Sequence, residues 1–442
     1  MSKHDRISRK TFMQSSALAF AGLSTHLGWS STGSWVERNR KNYKIKNALL
    51  ETGFERDDNG EVVRTLTDLF TVEIREGKMV KIEKNNPHLS DAINAMGYLM
   101  LPSFKDMHIH IDKTFYGGGW KATEKRKDGV KGMIALEQKI LPDLLEDSTY
   151  KAEQCIALLH TKGTSHIRNQ TNIEPTSGLR SLENYLKALD HKKGTFSSEI
   201  VLFPQHGVFY TPTAPLLKEA AQYDQVDFIG GVDPYYIDGS IEKTIDYTVQ
   251  LALDNHKGID IHTHRTDKHA LKLVEYIIDK VNENPELKGK TYLSHCFILG
   301  ALDSRKQEEI AEKLSAAQVG VNSTIPFGRL IMPIPILYKY GVKVRTGTDS
   351  IMDHWNSWGS GSVLQKANIM AQLYDYRTEL ELSRSLRIAT GDVLPLDEKG
   401  NQQWPKVGDA ANLAFLEASC SAEAVARIAD VKLLIHEGNR VF

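Results

Sequence analysis

Two histidines separated by one residue follow an apolar segment near residue 100. The segment at 98–104 is Tyr-Leu-Met-Leu-Pro-Ser-Phe, and Asp-Met-His-Ile-His-Ile-Asp-Lys-Thr follows at 106–114. Residues two apart on a β-strand point to the same side, so the imidazoles of His108 and His110 are expected to converge. Two neutral imidazoles at the end of a strand form half of a metal site. The other half must come from elsewhere in the chain.

Polar side chains also stand where four later strands are expected to end. They are Gln205 and His206, His262 and His264, His295, and Asp349. Three imidazoles and one carboxylate suit a borderline divalent ion such as Zn²⁺ or Fe²⁺. Such an ion lowers the pKa of bound water from about 15.7 towards about 7, and an aspartate beside that water can deliver its proton to a leaving nitrogen. The pattern therefore predicts a hydrolytic centre that works by metal-activated hydroxide.

A closed barrel would bring these strand ends together. Candidate strands lie at 98–110, 164–171, 199–205, 228–232, 258–264, 291–296, 319–323 and 342–348. Apolar residues with helical spacing separate most of them, at 150–162, 241–255, 269–282 and 303–317. Strands that alternate with helices in this number predict an α/β fold, a (β/α)8 TIM barrel whose active site lies at the C-terminal ends of the strands. An open doubly wound sheet is the alternative, but no glycine-rich turn follows the first strand.

Short alternating strands at both chain ends predict a second, smaller domain. Residues 70–83 and 431–442 each alternate apolar and polar residues around a glycine, which is typical of a β-hairpin. Neither set of strands is large enough to be stable alone, so we expect them to pair in a small β-sandwich. The predicted parts of the chain are a leader at 1–40, one half of the sandwich at 41–97, the barrel at 98–395 and the other half of the sandwich at 396–442.

The first residues of the chain resemble an export signal. A basic stretch at 8–14 precedes a run of small and apolar residues at 15–24, and this order is typical of a secretory signal. The Ser-Arg-x-x-Phe pattern is similar to a twin-arginine signal, with Lys10 in place of the second arginine. The apolar run is too short to span a bilayer. We expect a periplasmic, exported protein, and the alternative is a cytoplasmic protein with a disordered N-terminal tail.

The overall composition narrows the class of partner. Apolar residues make up 41% of the 442 residues, which suits a large buried core, and the formal net charge is −1. A nearly neutral chain lacks the basic surface that nucleic acid or an anionic membrane would favour. The expected partner is a small-molecule substrate, and a homo-oligomer is compatible with the sequence. The three cysteines form no Cys-x-x-Cys motif, so a zinc ribbon is excluded.

The motifs together resemble the amidohydrolase superfamily, and within it the cytosine deaminase-like branch. The matching segments are His-Ile-His-Ile-Asp-Lys-Thr at 108–114, Phe-Pro-Gln at 203–205, Asp-Ile-His at 260–262, Ser-His-Cys at 294–296 and Gly-Thr-Asp-Ser-Ile-Met-Asp-His-Trp at 347–355. The resemblance covers nearly all of the chain from residue 44. It implies a distorted TIM barrel, a β-sandwich built from both chain ends, a mononuclear iron or zinc centre, and hydrolysis of carbon–nitrogen bonds.

The resemblance also implies a role for each matching residue. The metal ligands it implies are His108, His110, His262 and Asp349. Asp349 would also move the water proton, and His295 would orient or polarise the attacking hydroxide. Gln205 matches a contact to a substrate amide, and Trp355 matches a wall of the substrate pocket. The branch has no carboxylated bridging lysine, so one divalent ion is expected.

One position departs from the deaminases of this branch. They have a glutamate three residues after the fifth-strand histidine, and this chain has Arg265 there. Arginine stays protonated and cannot act as a base. If Arg265 faces the pocket, it would bind a carboxylate or similar oxyanion of the substrate, and His264 or Asp267 would supply the missing proton transfer. The alternative is that Arg265 points to solvent in a loop. The predicted function is hydrolysis of a cyclic amidine, amide or amine. The alternatives are a cytosine or aminopyrimidine deaminase and a catalytically silent metal-binding relative.

Overall fold

The structure is a computed structural model, and it describes residues 41–124, 129–328 and 330–442. The predicted leader at 1–40 lies outside the described residues. Across the described ranges, no helix combines the length and the apolar character needed to cross a bilayer. Residues 41–442 form one compact unit, so the boundaries proposed between the sandwich and the barrel stay predictions.

The strands of the described residues fall into two sheets of eight. In chain order they are β1 Asn42–Arg56, β2 Val62–Arg75, β3 Lys78–Lys84, β4 Ala92–Asn94, β5 Leu99–Pro102, β6 Phe104–Ile109, β7 Thr164–Asn172, β8 Ser197–Phe203, β9 Phe228–Val232, β10 Gly258–His262, β11 Thr291–Ser294, β12 Val319–Ser323, β13 Val344–Thr346, β14 Leu413–Leu416, β15 Val431–His436 and β16 Asn439–Arg440.

Helices follow most strands of the central sheet. Those that the structure describes are α1 Gly129–Leu144, α2 Ser148–Thr161, α3 Arg180–His191, α4 Ala214–Ala220, α5 Pro234–Ile237, α6 Ile241–Asp254, α7 Lys268–Glu283, α8 Ile298–Ala301, α9 Ser304–Ala316, α10 Ile334–Lys339, α11 Val363–Leu373, α12 Glu379–Ser385, α13 Arg387–Thr390 and α14 Ser421–Arg427. A short 3₁₀ turn at Pro285–Leu287 follows α7.

The central sheet is the predicted barrel. Strands β6 to β13 pair in sequence order, and every pair is parallel. The two ends of the sheet meet where the amide of Asp349 donates to the carbonyl of His108 at 2.8 Å. Gly347 makes this approach feasible, because an added Cβ would lie 2.2 Å from that carbonyl oxygen. The prediction of a TIM barrel is therefore confirmed.

The second sheet is built from both chain ends, as predicted. Its order is β16-β15-β14-β5-β1-β2-β3, with β4 paired to β1. The predicted hairpin around Gly77 is present, with Arg75 opposite Lys78. The two ends of the chain join where β14 and β5 pair antiparallel, with Leu413 opposite Pro102.

One predicted strand is divided between the two sheets. The segment at 98–110 was expected to be continuous, but β5 belongs to the small sheet and β6 to the barrel. The backbone changes partners at Ser103, whose amide donates to Asn412 at 2.9 Å, while the amide of Phe104 donates to Gly163 at 2.8 Å. Pro102 has no amide to continue a ladder, so the chain passes from one sheet to the other at this point.

The helices pack on the barrel through apolar residues at helical spacing. In α6, Ile241, Ile245, Val249 and Ala252 are buried, and Ser240 caps the helix by accepting from the amide of Lys243. Burial of each large aliphatic side chain contributes about 1.5–3 kcal/mol relative to exposure. This packing holds the strands whose C-terminal ends carry the polar residues.

Candidate metal centre and active site

Five predicted site residues meet at the C-terminal end of the barrel. The Nε2 atoms of His110 and His262 are 3.4 Å apart. Asp349 Oδ1 lies 3.5 Å from His110 Nε2 and 3.8 Å from His108 Nε2. The ring of His295 lies 4.8 Å from that of His108, centroid to centroid. The fold thus brings together side chains that are up to 241 positions apart in the chain, as His108 and Asp349 are.

Two of these residues have an unusual backbone conformation. His295 has φ of 67° and Asp349 has φ of 62°, in the left-handed region that costs a non-glycine residue about 1–3 kcal/mol. Hydrogen bonds hold both residues there, since the amide of His295 donates to Asn322 at 2.8 Å and that of Asp349 donates to His108 at 2.8 Å. Strain of this kind concentrates at functional sites, and here it turns both side chains into the barrel mouth.

The histidines of the cluster are neutral. Burial lowers the pKa of His108 to about 3, and burial also holds the pKa values of His110, His262 and His295 well below the usual histidine range. Neutral imidazoles keep the lone pair that binds a metal. Burial acts in the opposite direction on Asp349 and raises the pKa of its carboxyl group, with the nearby Asp353 adding to the rise.

A chain of hydrogen bonds fixes the ring of His108. Its Nδ1 lies 3.0 Å from Ser294 Oγ, and the serine hydroxyl donates to Asp260. Asp260 is fully buried and also accepts from Arg168 at 3.2 Å and from Asn322 at 2.8 Å. Such partners behind a ligating histidine set its orientation, and they leave Nε2 directed at the cluster.

The residues present fit a divalent metal ion. The cluster contains two groups of possible ligands, and within each group the ligand atoms all lie within 4.8 Å of one another. One group is His108, His110 and Asp349, and the other is His108, His262 and His295. His108 Nε2 is buried and has no hydrogen-bond partner among the described residues. A buried polar atom without a partner is costly, and a metal ion would remove that cost. Imidazole nitrogens with one carboxylate oxygen are the donor set of zinc and non-haem iron sites.

Known proteins share this architecture. No family model matches the chain. The uncharacterized protein YahJ of Escherichia coli is 46% identical over 404 residues, which cover 90% of this chain and 87% of YahJ. The N-isopropylammelide isopropyl amidohydrolase of a Pseudomonas species is 24% identical over 362 residues, which cover 79% of this chain and 88% of that enzyme. The crystal structure of N-isopropylammelide isopropylaminohydrolase from Burkholderia multivorans superposes with a TM-score of 0.77 at 24% identity, covering 91% of this chain and 98% of that one.

The chain belongs to one family with YahJ, which it matches over nearly its whole length. The predicted resemblance to the amidohydrolase superfamily is confirmed by the Pseudomonas and Burkholderia relatives. The prediction that the protein is an enzyme, and specifically a hydrolase, is confirmed by these relatives, which are hydrolases that act on carbon–nitrogen bonds. Active sites of TIM barrels lie at the C-terminal strand ends, and these ends carry the histidine cluster described above.

Gln205 is held by a buried lysine. Lys113 Nζ donates to Gln205 Oε1 at 3.0 Å and to Asn172 Oδ1 at 2.9 Å. A lysine ammonium can only donate, so the oxygen of the Gln205 amide must face Lys113 and its NH₂ group must face away. Trp355, the other predicted pocket residue, is half-buried and lies next to His354, with ring centroids 5.8 Å apart.

The fifth-strand loop places its polar residues in different surroundings. His264 lies beside the cluster, with its ring 4.4 Å from that of His295, and its Nδ1 is 2.8 Å from Asp233 Oδ2. Arg265 is exposed and its guanidinium lies 4.3 Å from the ring centroid of Tyr236. Asp267 caps α7 by accepting from two helix amides, and it also accepts from the Tyr236 hydroxyl. Asp267 is therefore occupied as a cap, while His264 is the residue next to the cluster.

Three residues of the site were not predicted. Asp233 directly follows β9, and no residue at the end of this strand was among the predicted site residues. Lys113 belongs to the His-Ile-His-Ile-Asp-Lys-Thr motif, but nothing in the motif indicates its partner. Glu137 lies within α1, far from any strand end, and its helix position gives no local signal of a role. Asp233 could have been predicted, because it is a polar residue at the end of a barrel strand. Lys113 and Glu137 could not, because their roles depend on contacts between distant segments.

His206 is a buried cation at physiological pH, not a ligand of the cluster. Burial lowers the pKa of His206, but the carboxylates of Glu137 and Glu174 outweigh it and raise the pKa to about 9. His206 Nδ1 lies 3.2 Å from Glu174, and Nε2 lies 3.7 Å from Glu137.

This pair of contacts predicts a pH dependence of stability. A pKa raised on folding stabilises the protein fully below the unfolded value of about 6.5, and this stabilisation is lost as the pH rises through about 9. We expect the free energy of unfolding of the wild type to fall between pH 6.5 and 9 by more than that of the variant His206→Gln. Urea unfolding at pH 6, 8 and 9.5 measures both. Parallel pH curves for the two proteins would contradict the assignment.

Proposed function

We propose that this protein is a metal-dependent amidohydrolase that cleaves a non-peptide carbon–nitrogen bond in a cyclic amide, a cyclic amidine or a ring-bound amine. The observation that carries the proposal is the cluster at the barrel mouth, in which His108 and His110 approach Asp349 and His262 approaches His110. The Pseudomonas and Burkholderia relatives support it, because both are named for action on N-isopropylammelide. We take a nitrogen heterocycle with an amino or alkylamino substituent as the substrate class.

The proposed mechanism divides the work among five residues. His108, His110, His262 and Asp349 would hold one divalent ion, Zn²⁺ or Fe²⁺. When bound, such an ion lowers the pKa of water from about 15.7 towards about 7. The Asp349 carboxylate accepts the water proton. His295 donates or accepts a hydrogen bond that orients the attacking water.

His264 is the group we propose for the proton transfer that the missing glutamate performs in deaminases. The carboxylate of Asp233 is only 7% exposed and contacts His264 twice, at the backbone amide at 2.9 Å and at Nδ1 at 2.8 Å. The aspartate therefore fixes the ring beside His295. An imidazole held in this way can hand a proton to a leaving nitrogen.

Gln205 indicates which substrate atom faces it. Because Lys113 holds the amide oxygen, Gln205 presents its NH₂ group, and a hydrogen-bond acceptor is required opposite. A ring carbonyl or an unprotonated ring nitrogen meets this requirement, and an amino group does not. We therefore expect a substrate that presents a ring carbonyl or an unprotonated ring nitrogen to Gln205 to be preferred over one that presents an amino group there.

Metal depletion and reconstitution test the proposal. We expect the chelated protein to be inactive and to recover activity with about one equivalent of Zn²⁺ or Fe²⁺. A suitable panel contains N-isopropylammelide, cytosine and cyclic amides. Turnover of cytosine as the best substrate would favour the aminopyrimidine deaminase, and stoichiometric metal without turnover of any compound would favour the silent metal-binding relative.

The proposed role of Arg265 is tested separately. If its guanidinium binds an anionic substrate, Arg265→Ala raises KM for carboxylate-bearing substrates by about tenfold or more, the loss of one charge-assisted bidentate contact. KM for neutral substrates should not change. An equal change for both sets contradicts a carboxylate-binding role and leaves Arg265 as an exposed residue stacked on Tyr236.

A further inference from the structure

A buried carboxylate links the first and last loops of the barrel. We infer that Glu137 is a positioning residue that holds Gln205 and the Trp355 loop in place as two walls of the substrate pocket. The inference rests on the proposed function for the role of those walls. The linkage itself rests on contacts that do not depend on the substrate.

Glu137 is fully buried on α1, and each of its two oxygens lies within ion-pair distance of a basic side chain. Oε1 accepts from Asn172 Nδ2 at 2.5 Å and lies 3.6 Å from Lys113 Nζ. Oε2 lies 3.3 Å from His354 Nε2 and 3.7 Å from His206 Nε2. One side chain thus contacts residues from four places in the barrel order.

Each charged or aromatic partner of Glu137 leads to a wall of the pocket. Lys113 binds the amide oxygen of Gln205. His206, a second partner of Glu137, directly follows Gln205 in the chain. His354 immediately precedes Trp355. Removing the carboxylate would therefore release Gln205 on one side and the Trp355 loop on the other, while the histidine cluster would keep its own supports at Ser294 and Asp260.

The network also explains how a buried charge is tolerated. An isolated carboxylate inside a protein costs several kcal/mol, and here Lys113 and the protonated His206 stand on either side of it. Both Lys113 and His206 are at most 1% exposed. Glu174, on the far side of His206, balances the second positive charge. The carboxylates of Glu137 and Glu174 thus each lie beside a cation, Lys113 or His206.

Neutral contacts join the same two loops. The hydroxyl of Thr114 donates to the carbonyl of Ile351 at 2.6 Å, and the amide of Phe115 donates to that of Met352 at 2.7 Å. Further along, the amide of Thr123 donates to the Ser357 hydroxyl at 2.6 Å. The loop at 111–124 and the loop at 347–358 are therefore tied at several points, and Glu137 anchors them to the barrel wall.

The test compares Glu137→Gln with Glu153→Gln in the metal-loaded full chain. Glu153 is a matched control because it also contacts a histidine, His191 Nδ1 at 2.6 Å, but on the outer helix layer. We expect Glu137→Gln to speed hydrogen exchange of the segments 111–124 and 347–358 by about tenfold without loss of metal, and Glu153→Gln to leave both at the wild-type rate. With an active substrate, KM should rise by about tenfold and kcat should change less.

A milder variant keeps the test decisive if Glu137→Gln does not fold. His354→Gln removes one partner of the carboxylate and should speed exchange in 347–358 but not at Gln205. Wild-type exchange in both loops of a folded Glu137→Gln or His354→Gln protein overturns the inference. Because exchange is measured without substrate, failure of the proposed function would appear separately, as altered exchange in a protein that turns over no compound of the panel.

Discussion

Replacing Asp349 with asparagine is expected to lower kcat by about 10³-fold or more at saturating metal. Proton transfer by a positioned base contributes about 10²–10⁴-fold to the rate, and the substitution also weakens one proposed metal ligand. Asparagine has nearly the same shape, so the packing around the site is preserved. Its side chain cannot accept a water proton at neutral pH. Steady-state kinetics with added Zn²⁺, together with metal analysis of the purified variant, measure the two effects separately.

An exposed aspartate provides the control for Asp349. Asp224 lies on the surface after α4, and Asp224→Asn is expected to have wild-type kcat and metal content. If Asp349→Asn kept more than a tenth of the wild-type kcat with a full equivalent of metal, Asp349 would not be the base. Another group at the cluster would then have to take the water proton.

The second large effect is expected for Gly347→Ala, which should abolish metal binding and destabilise the protein by about 3 kcal/mol or more. An added Cβ would lie 2.2 Å from the carbonyl oxygen and 2.5 Å from the amide nitrogen of His108. Both atoms belong to the backbone, so no side-chain rotation can relieve the contact. The barrel would have to open between β13 and β6, where His108 and Asp349 meet.

Gly119→Ala is the matched control for this substitution. Nothing lies within 4 Å of the Cβ that would be added there, and the glycine is on an exposed part of the first barrel loop. We expect urea unfolding and metal content of Gly119→Ala to equal those of the wild type. A Gly347→Ala protein with wild-type metal content and unfolding midpoint would mean that the barrel does not close through this contact.

The barrel and most of its histidine cluster could be predicted from local patterns. The strand segments β9 and β12 have the predicted bounds, 228–232 and 319–323. A parallel strand buried on both faces is a short apolar run, and polar residues where such a run ends are conspicuous. His262, His295 and Asp349 could be identified for this reason. They were expected to lie together because the C-terminal ends of all barrel strands form one face.

The roles of the loop residues on the substrate side of the site could not be predicted from the sequence. Arg265 stood out as a departure from a family pattern, but its stacking on Tyr236 could not be anticipated, because loop residues carry no periodicity that sets their direction. The same holds for Asp267, whose side chain caps α7. A single sequence offers both a cap and a base as roles for such an aspartate, and only the neighbouring atoms distinguish them.

The sequence by itself determined the chemistry available to this protein: histidines spaced by two on one strand, further ligands at other strand ends, and helices between the strands. These features are local, since strand and helix periods depend on residues a few positions apart. The tertiary structure alone decided how the site is held. Lys113 and Gln205 are 92 residues apart. Glu137 contacts His354 from a position within α1 that no local sequence pattern marks as functional. Contacts of this range exist only after the barrel closes, at the point where Gly347 lets the last strand meet His108.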